Sequence, residues 1–333
     1  MDIAARAGVH PATVSRALNL PEKVAPATRA RVEEAVKELG FVPNRAARRL
    51  ITGRTDNLAV IVPDITNPHF ASLVRSVERA ARQVGLQVLL MDTGEQPEEE
   101  LRAARTLASE VDGFVVISAR RVHRSLEALG GKRAVFVNRP VRDHASVLFR
   151  TAPAVADALR HLGGLGHRRL AYLGGPSRSW AAGERRNAVR RTSAAMGMEL
   201  SELVVAEPVF DAAVGVVEEI VGGGASAVIA FNDQMALGVV AGMARLGVRV
   251  PDDLSVIGFD DVPMAAMVAP PLTTISMPTD EAGAAAVAML RDGTSRQELL
   301  GALVTRQSTG PVKGARATAA ARRARPSSGA GHG

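Results

Sequence analysis

Arg16 is the residue of the N-terminal stretch best equipped to meet a nucleobase. On the segment 11–19 it is the one long donor whose fork matches the paired acceptors of a guanine edge, and Thr13 and Ser15 nearby carry hydroxyls suited to phosphate oxygens. A second set of polar groups lies deeper in the chain. Asp64, Asn67 and Phe70 follow the apolar run LAVIVP, Asn138 and Arg139 follow AVFV, Asn232 follows VIAF, and Asp260 and Asp261 close LSVIGFDD. Carboxylates, amides and a fork-shaped guanidinium can each bond two hydroxyls at once, which suits a polyhydroxylated ligand. Asn232 and Asp260 can equally cap the helices that follow them, and Asp261 reads as structural. Phe70, Trp180 and Phe210 serve either as a stacking wall or as packing.

The elements that position these residues can be read from period and punctuation. In MDIAARAGVHPATVSRALN, Ile3, Ala4 and Ala7 form one short helical face. Gly8 breaks that helix, and Pro11 opens a second whose inner face is Val14, Ala17 and Leu18. Two short helices joined by a Gly turn, polar outside, make a helix-turn-helix whose second helix can enter a major groove. A third helix is expected over 26–39, with Val32, Ala35, Val36 and Leu39 closing a small core. In PNRAARRLITGRT, Asn44 can cap a one-to-two-turn helix reaching about Ile51, carrying Arg45, Arg48 and Arg49 and ending on apolar Leu50. Such a helix is marginal alone in water, and its composition suits a minor groove.

Beyond residue 57, apolar strands alternate with helices, which implies parallel sheets covered on both faces. Strands are expected at 58–63, 86–92, 113–118, 134–138, 146–149, 170–175, 228–232 and 254–261. Helices are expected at 68–84, 97–109, 153–163, 183–196 and 233–246. Ligands of such folds sit off the carboxyl ends of the strands, where the polar groups above fall.

Composition narrows the function classes. The 333 residues are 47% hydrophobic but only 3% aromatic, so a sizeable core must be built from Ala, Val, Leu and Ile. With no cysteine there is no disulfide framework, thiol catalysis or Cys zinc site. No leader-like segment or run of eighteen apolar residues occurs, so a soluble, cytoplasmic protein is expected. The net charge of +7 is concentrated at the ends: residues 1–57 carry ten basic and six acidic residues, 311–333 carry five basic and no acidic, and the middle is slightly acidic. The basic ends are where a polyanion would be met. The tail at 311–333 reads as disordered and has no leucine heptad that could tetramerise the chain. There is no Gly-rich phosphate loop, no Ser nucleophile elbow and no ligand-spaced pair among the seven histidines. Catalysis, a metal and a cofactor are therefore not expected.

DIAARAGVHPATVSRALN followed by TRARVEEAVKELGFVPNRAARRLITGRT resembles the DNA-binding head and hinge of the LacI/GalR family of bacterial transcription regulators, and the likeness continues to about Pro311. The resemblance implies an α/β protein: an all-α helix-turn-helix head (1–43), a hinge helix and linker (44–57), and a two-subdomain, type I periplasmic-binding-protein-like core (58–310). The chain would cross between subdomains near 150, 277 and 305, giving an N-subdomain of 58–149 and 278–304 and a C-subdomain of 150–276 and 305–310. It also implies DNA contacts from His10, Pro11, Ala12, Thr13, Ser15, Arg16, Asn44, Arg45, Ala47, Arg48 and Leu50. The effector contacts it implies are Asp64, Asn67, Phe70, Arg139, Trp180, Arg185, Phe210, Asn232 and Asp260.

The implied function is that of a homodimeric repressor on a pseudo-palindromic operator, switched by a small molecule, with a sugar expected. The alternatives are control by a protein corepressor, or a small-molecule binding protein without DNA function. The chain departs from the family in places. His10 replaces a good N-cap, and Ala12 offers at most a methyl contact, which leaves more of the base readout to Arg16. Arg150 and Thr151, Ala188 and Val189, and Met277 replace polar or aromatic residues, so the polar cleft is expected to be thinner than in typical sugar-responsive members.

Overall fold

In a computed structural model of the chain, residues 3–19, 21–41, 53–293 and 296–312 are described. The chain divides into two compact units, one comprising Met1–Asn57 with Ser109–Asp112 and the other Leu58–Ala108 with Gly113–Gly333.

Among the described residues, the first unit is built on the α-helices α1 (Ile3–Ala7), α2 (Pro11–Asn19) and α3 (Pro26–Glu38). Ile3, Ala4, Ala7, Val14, Ala17, Val32 and Ala35 form its buried core, with Leu18, Val36 and Leu39 packed against it. The turn after α1 follows from Gly8, which takes φ +61° and lets the Val9 N–H donate to Ala4 O at 3.0 Å. The α3 helix ends the same way, at Gly40 with φ +59°. In the segment entering the first strand, the Asp112 carboxylate accepts from the Thr55 and Asp56 N–H groups (2.8 and 3.0 Å) and from Thr55 Oγ1 (3.0 Å). Burial works to raise the pKa of Asp112, but these bonds and Arg54 outweigh it and hold the carboxyl below its ordinary value.

The second unit contains two six-stranded sheets. Its strands are β1 (Asn57–Val62), β2 (Gln87–Asp92), β3 (Gly113–Ile117), β4 (Arg133–Val137), β5 (Ala145–Arg150), β6 (Arg169–Gly174), β7 (Glu199–Val204), β8 (Ala227–Ala230), β9 (Ser255–Asp260), β10 (Thr273–Ser276), β11 (Arg296–Leu300) and β12 (Ala302–Val304). The orders are β11-β5-β4-β3-β1-β2 and β12-β10-β9-β8-β6-β7. Pairings such as Val60 with Val115 and Val228 with Val256 are parallel, and β12 runs antiparallel to β10. Inner strands such as β3 and β9 are buried along their whole length, which explains their unbroken apolar sequences.

The helices are α4 (Pro68–Gln83), α5 (Pro97–Leu107), α6 (Val122–Ala128), α7 (Ala152–Gly164), α8 (Trp180–Ala195), α9 (Phe210–Val214), α10 (Val217–Gly222), α11 (Asp233–Arg245), α12 (Pro263–Met267) and α13 (Thr279–Asp292). Polar residues at strand ends start several of them. Asn67 Oδ1 accepts the His69 N–H (3.0 Å), Ser179 Oγ the Ala182 N–H (3.3 Å), and Asn232 Oδ1 the Met235 N–H (2.8 Å). None of the described helices is long and apolar enough to cross a membrane.

The chain passes between the sheets after β5, after β10 and at Gly301. The last crossing comes earlier than the expected position near 305, so Ala302–Val304 joins the second sheet. There is no room at Gly301 for a side chain: a Cβ would lie 2.9 Å from Ser276 O. Contacts with the core also continue past 310, as the Val312 N–H donates to Leu165 O at 3.1 Å. The expected hinge helix and nearly all of the expected tail lie outside the described residues.

Candidate functional site

Two sites come from these elements, one in each unit. On the helical unit, the segment His10–Arg16 presents His10, Pro11, Ala12, Ser15 and Arg16 at the surface, with Thr13 half-buried. Arg16 Nε donates to Ala12 O at 3.2 Å, which steadies the stem of its fork. His10 departs from the expectation of a missing cap: its Nδ1 accepts the Ala12 N–H at 3.2 Å, the bond a serine would have made. Asn44, Arg45, Ala47, Arg48 and Leu50 lie outside the described residues.

In the second unit, the carboxyl ends of strands from both sheets face a cavity of about 800 Å³. From the first sheet come Asp64, Asn67, His69 and Phe70 after β1, Glu95 after β2, Ser118 and Arg120 after β3, and Asn138 after β4. From the second come Arg178 and Ser179 after β6, Glu207 after β7, Phe231 and Asn232 after β8, and Asp260 ending β9. Arg185, on α8, completes the floor.

Four of these residues hold left-handed backbone without being glycine: Glu95 (φ +60°), Ser118 (+50°), Asn138 (+57°) and Asp260 (+102°). Such conformations persist only where the surroundings enforce them, and they gather at binding sites.

The floor is an ordered charge cluster. Arg185 Nη2 donates to Asp260 Oδ1 at 2.7 Å and Nη1 to the Phe231 carbonyl. Its guanidinium also lies 4.9 Å from the Phe231 ring centroid and 4.5 Å from that of Phe259. His69 is 4% exposed, with Nδ1 3.8 Å from the same Asp260 oxygen and its ring 5.5 Å from Phe70. Burial holds this imidazole below its usual pKa; Asp260 pulls it upward and Arg185 downward.

Behind the floor, Asp233 accepts from Thr274 Oγ1 (2.5 Å) and the Val262 N–H (2.8 Å). Burial, reinforced by the charge of Asp260, pushes its carboxyl up to about 8. Gly258 allows this approach, since a Cβ there would lie 2.1 Å from Asp233 Oδ1. At the rim, Arg120 is clamped by Glu95 and by the Ser118 carbonyl.

Asp64, Asn67, Phe70, Arg185, Asn232 and Asp260 thus come together around one cavity. Arg139, Trp180 and Phe210 do not line it. Trp180 sits between Ser179 and Ala181, which do, but on a helix successive residues turn to different faces. Phe210 opens α9 and stays 37% exposed. Arg139 is half-buried beside Asn138, which takes the lining position instead. Sequence reasoning passes over His69, Glu95, Ser118, Arg120, Arg178 and Phe231. Ser118 and Phe231 stand at strand ends and are open to the same rule; His69 is hidden inside the start of a helix.

Residues 1–44 match the bacterial regulatory proteins of the lacI family, and residues 159–309 match a periplasmic binding protein-like domain. The chain is 34% identical over 327 residues to the HTH-type transcriptional regulator CelR of Thermobifida fusca, covering 93% of each chain. The crystal structure of the lac repressor dimer bound to operator and the anti-inducer ONPF is similar with a TM-score of 0.82 at 26% identity, over 93% of this chain and 98% of that one. The solved complex of the transcriptional regulator CelR with cellobiose is similar with a TM-score of 0.68 at 31% identity, over 92% and 98%. These are regulators of transcription and not enzymes.

Proposed function

The chain belongs to the LacI family of bacterial regulatory proteins, and from that membership we propose that it is a cytoplasmic repressor whose hold on its operator is set by a small molecule in the cleft between its two sheets. The observation that carries the reading is the pairing of a helix-turn-helix unit with a cavity lined from the strand ends of both sheets. A ligand touching both sheets interacts differently with open and closed arrangements of them, which is what an effector must do to shift a population. The sugar seen with CelR and the operator seen with the lac repressor support the same two partners here.

Two copies bind together, since a two-fold dimer matches a pseudo-palindromic operator. In each head α2 enters the major groove. Thr13, Ser15 and Asn44 hold phosphates, and His10, Pro11 and Ala12 line the groove beside Arg16, which reads a base. Residues 44–51, with Arg45, Ala47 and Arg48, enter the minor groove, where Leu50 wedges a base step.

Sequencing duplex fragments selected by the purified protein tests this directly: a pseudo-palindrome should emerge. Arg16→Ala should then weaken the selected site by about 1–3 kcal/mol and relax preference at one base pair of each half-site. Uniform weakening across sequences would remove Arg16 from base readout.

A further inference from the structure

The residues that lead into β1 are clipped to a distant stretch of the chain. Asp112 Oδ1 accepts the Thr55 N–H at 2.8 Å and the Thr55 hydroxyl at 3.0 Å, and Oδ2 accepts the Asp56 N–H at 3.0 Å. The Thr55 hydroxyl oxygen in turn accepts the Asn57 N–H at 3.2 Å. Further bonds close the clip: the Asp112 N–H donates to Asn57 O at 2.8 Å, and Asn57 Nδ2 donates to Glu110 O at 3.0 Å. Arg54 Nε lies 3.7 Å from Asp112 Oδ2. Asp112 is 57 residues from Thr55 in sequence, yet Ser109–Asp112 forms one compact unit with Met1–Asn57. One clipped segment runs on into β1 and the other into β3, and these strands pair in parallel.

A carboxylate that accepts from two successive N–H groups fixes two peptide planes at once, and bonds to an ionised acceptor are the stronger kind. Asp56 holds left-handed backbone, φ +54°, without being glycine, a conformation that persists where the surroundings enforce it. The linker that joins the helix-turn-helix to β1 therefore ends at a fixed point. On the operator reading above, two heads reach two half-sites from two such points. Each base pair between the half-sites displaces a head by about 3.4 Å and turns it by about 35°. Releasing residues 54–56 would add roughly 10 Å of extended chain to each linker, about three base-pair steps. A clipped linker discriminates spacing, and a released one tolerates its change. We propose, resting on that operator reading, that Asp112 is a positioning residue that fixes where each linker ends and so sets the half-site spacing the dimer accepts.

The full-length protein and its selected operator test this, with one or two base pairs inserted at or deleted from the centre of the duplex and affinities read by fluorescence anisotropy. Wild type should lose at least tenfold for each single-base-pair change. Asp112→Ala should bind the selected spacing more weakly, and its penalty for a changed spacing should shrink to threefold or less. Thr55→Val keeps the branched shape without the hydroxyl and should fall between the two. Asp112→Asn keeps one acceptor oxygen but turns a donor toward the second N–H, and it too should be intermediate. Melting temperatures and affinity for random-sequence duplex should stay close to wild type. If Asp112→Ala does not fold, the two milder variants carry the test.

Equal weakening at every spacing would make Asp112 merely structural and overturn the proposal. Wild-type protein that binds its two-part site equally well at all spacings would also overturn it, with the operator reading intact. A wild type that selects no two-part site would remove the operator reading, and the proposal with it.

Discussion

Arg31 acts one helix away from α2, the proposed recognition helix. From α3 its Nε donates to Ala7 O at 3.1 Å, and Nη2 reaches both Ala7 O and Gly8 O, the latter at 2.9 Å. These carbonyls close α1, where the last turn lacks internal donors and a cation suits the helix dipole. The fork therefore fixes the turn that aims α2, and a Cβ on Gly8 would come within 3.1 Å of its Nη2. Arg31→Lys keeps the charge but loses the two-pronged geometry. It should weaken specific operator binding about fivefold, or roughly 1 kcal/mol, with the salt dependence unchanged in an anisotropy series. A direct phosphate contact would behave differently: lysine would be tolerated, and Arg31→Met would flatten the slope by about one.

At the level of the element, α11 begins on a buried acid. Asp233 keeps its proton up to about 8, whereas in the unfolded chain it loses the proton near 3.9. Between those values the folded state binds the extra proton, so this group makes stability fall as pH rises. Asp233→Asn cannot titrate. It gives up one acceptor toward Thr274 or Val262, so it should melt below wild type at pH 5 and close the gap by pH 9. A gap that stays constant with pH would mean that Asp233 is ionised throughout. Elements differ in how far their sequences reveal them, and for physical reasons. Strands buried on both faces, such as β1, β3 and β8, appear as unbroken apolar runs. Edge strands β7 (ELSELV) and β11 (RQELL) mix in charges because one side meets solvent, and neither stands out as a strand in the sequence. Helices α6, α9, α10 and α12 have seven residues or fewer, too few for a period to register. The cleft is legible where topology decides it, at strand ends. It is not legible where the facing of a side chain decides, which separates Trp180 from Ser179.

Across the whole molecule, the two sheets are joined by three crossings, and a bidentate pair braces two of them. Arg150, at the end of β5, donates through Nε and Nη2 to Glu298 on β11 at 2.7 and 2.6 Å. Closure around a ligand must therefore pass through a few backbone positions near Thr151, Met277 and Gly301. Coupling of this kind is a free energy shared between two sites, so it must act equally in both directions. If a saturating effector weakens operator affinity by some factor, typically about 5–150-fold for such couplings, a saturating operator duplex must weaken effector affinity by the same factor. Calorimetric titration of the effector into free and duplex-bound protein measures one ratio, and anisotropy with and without the effector measures the other. Equal ratios above one identify an inducer, and equal ratios below one a corepressor. Ratios of one in both directions would show that filling the cleft does not reach the head, and the regulatory reading would lose its mechanism although both ligands bind.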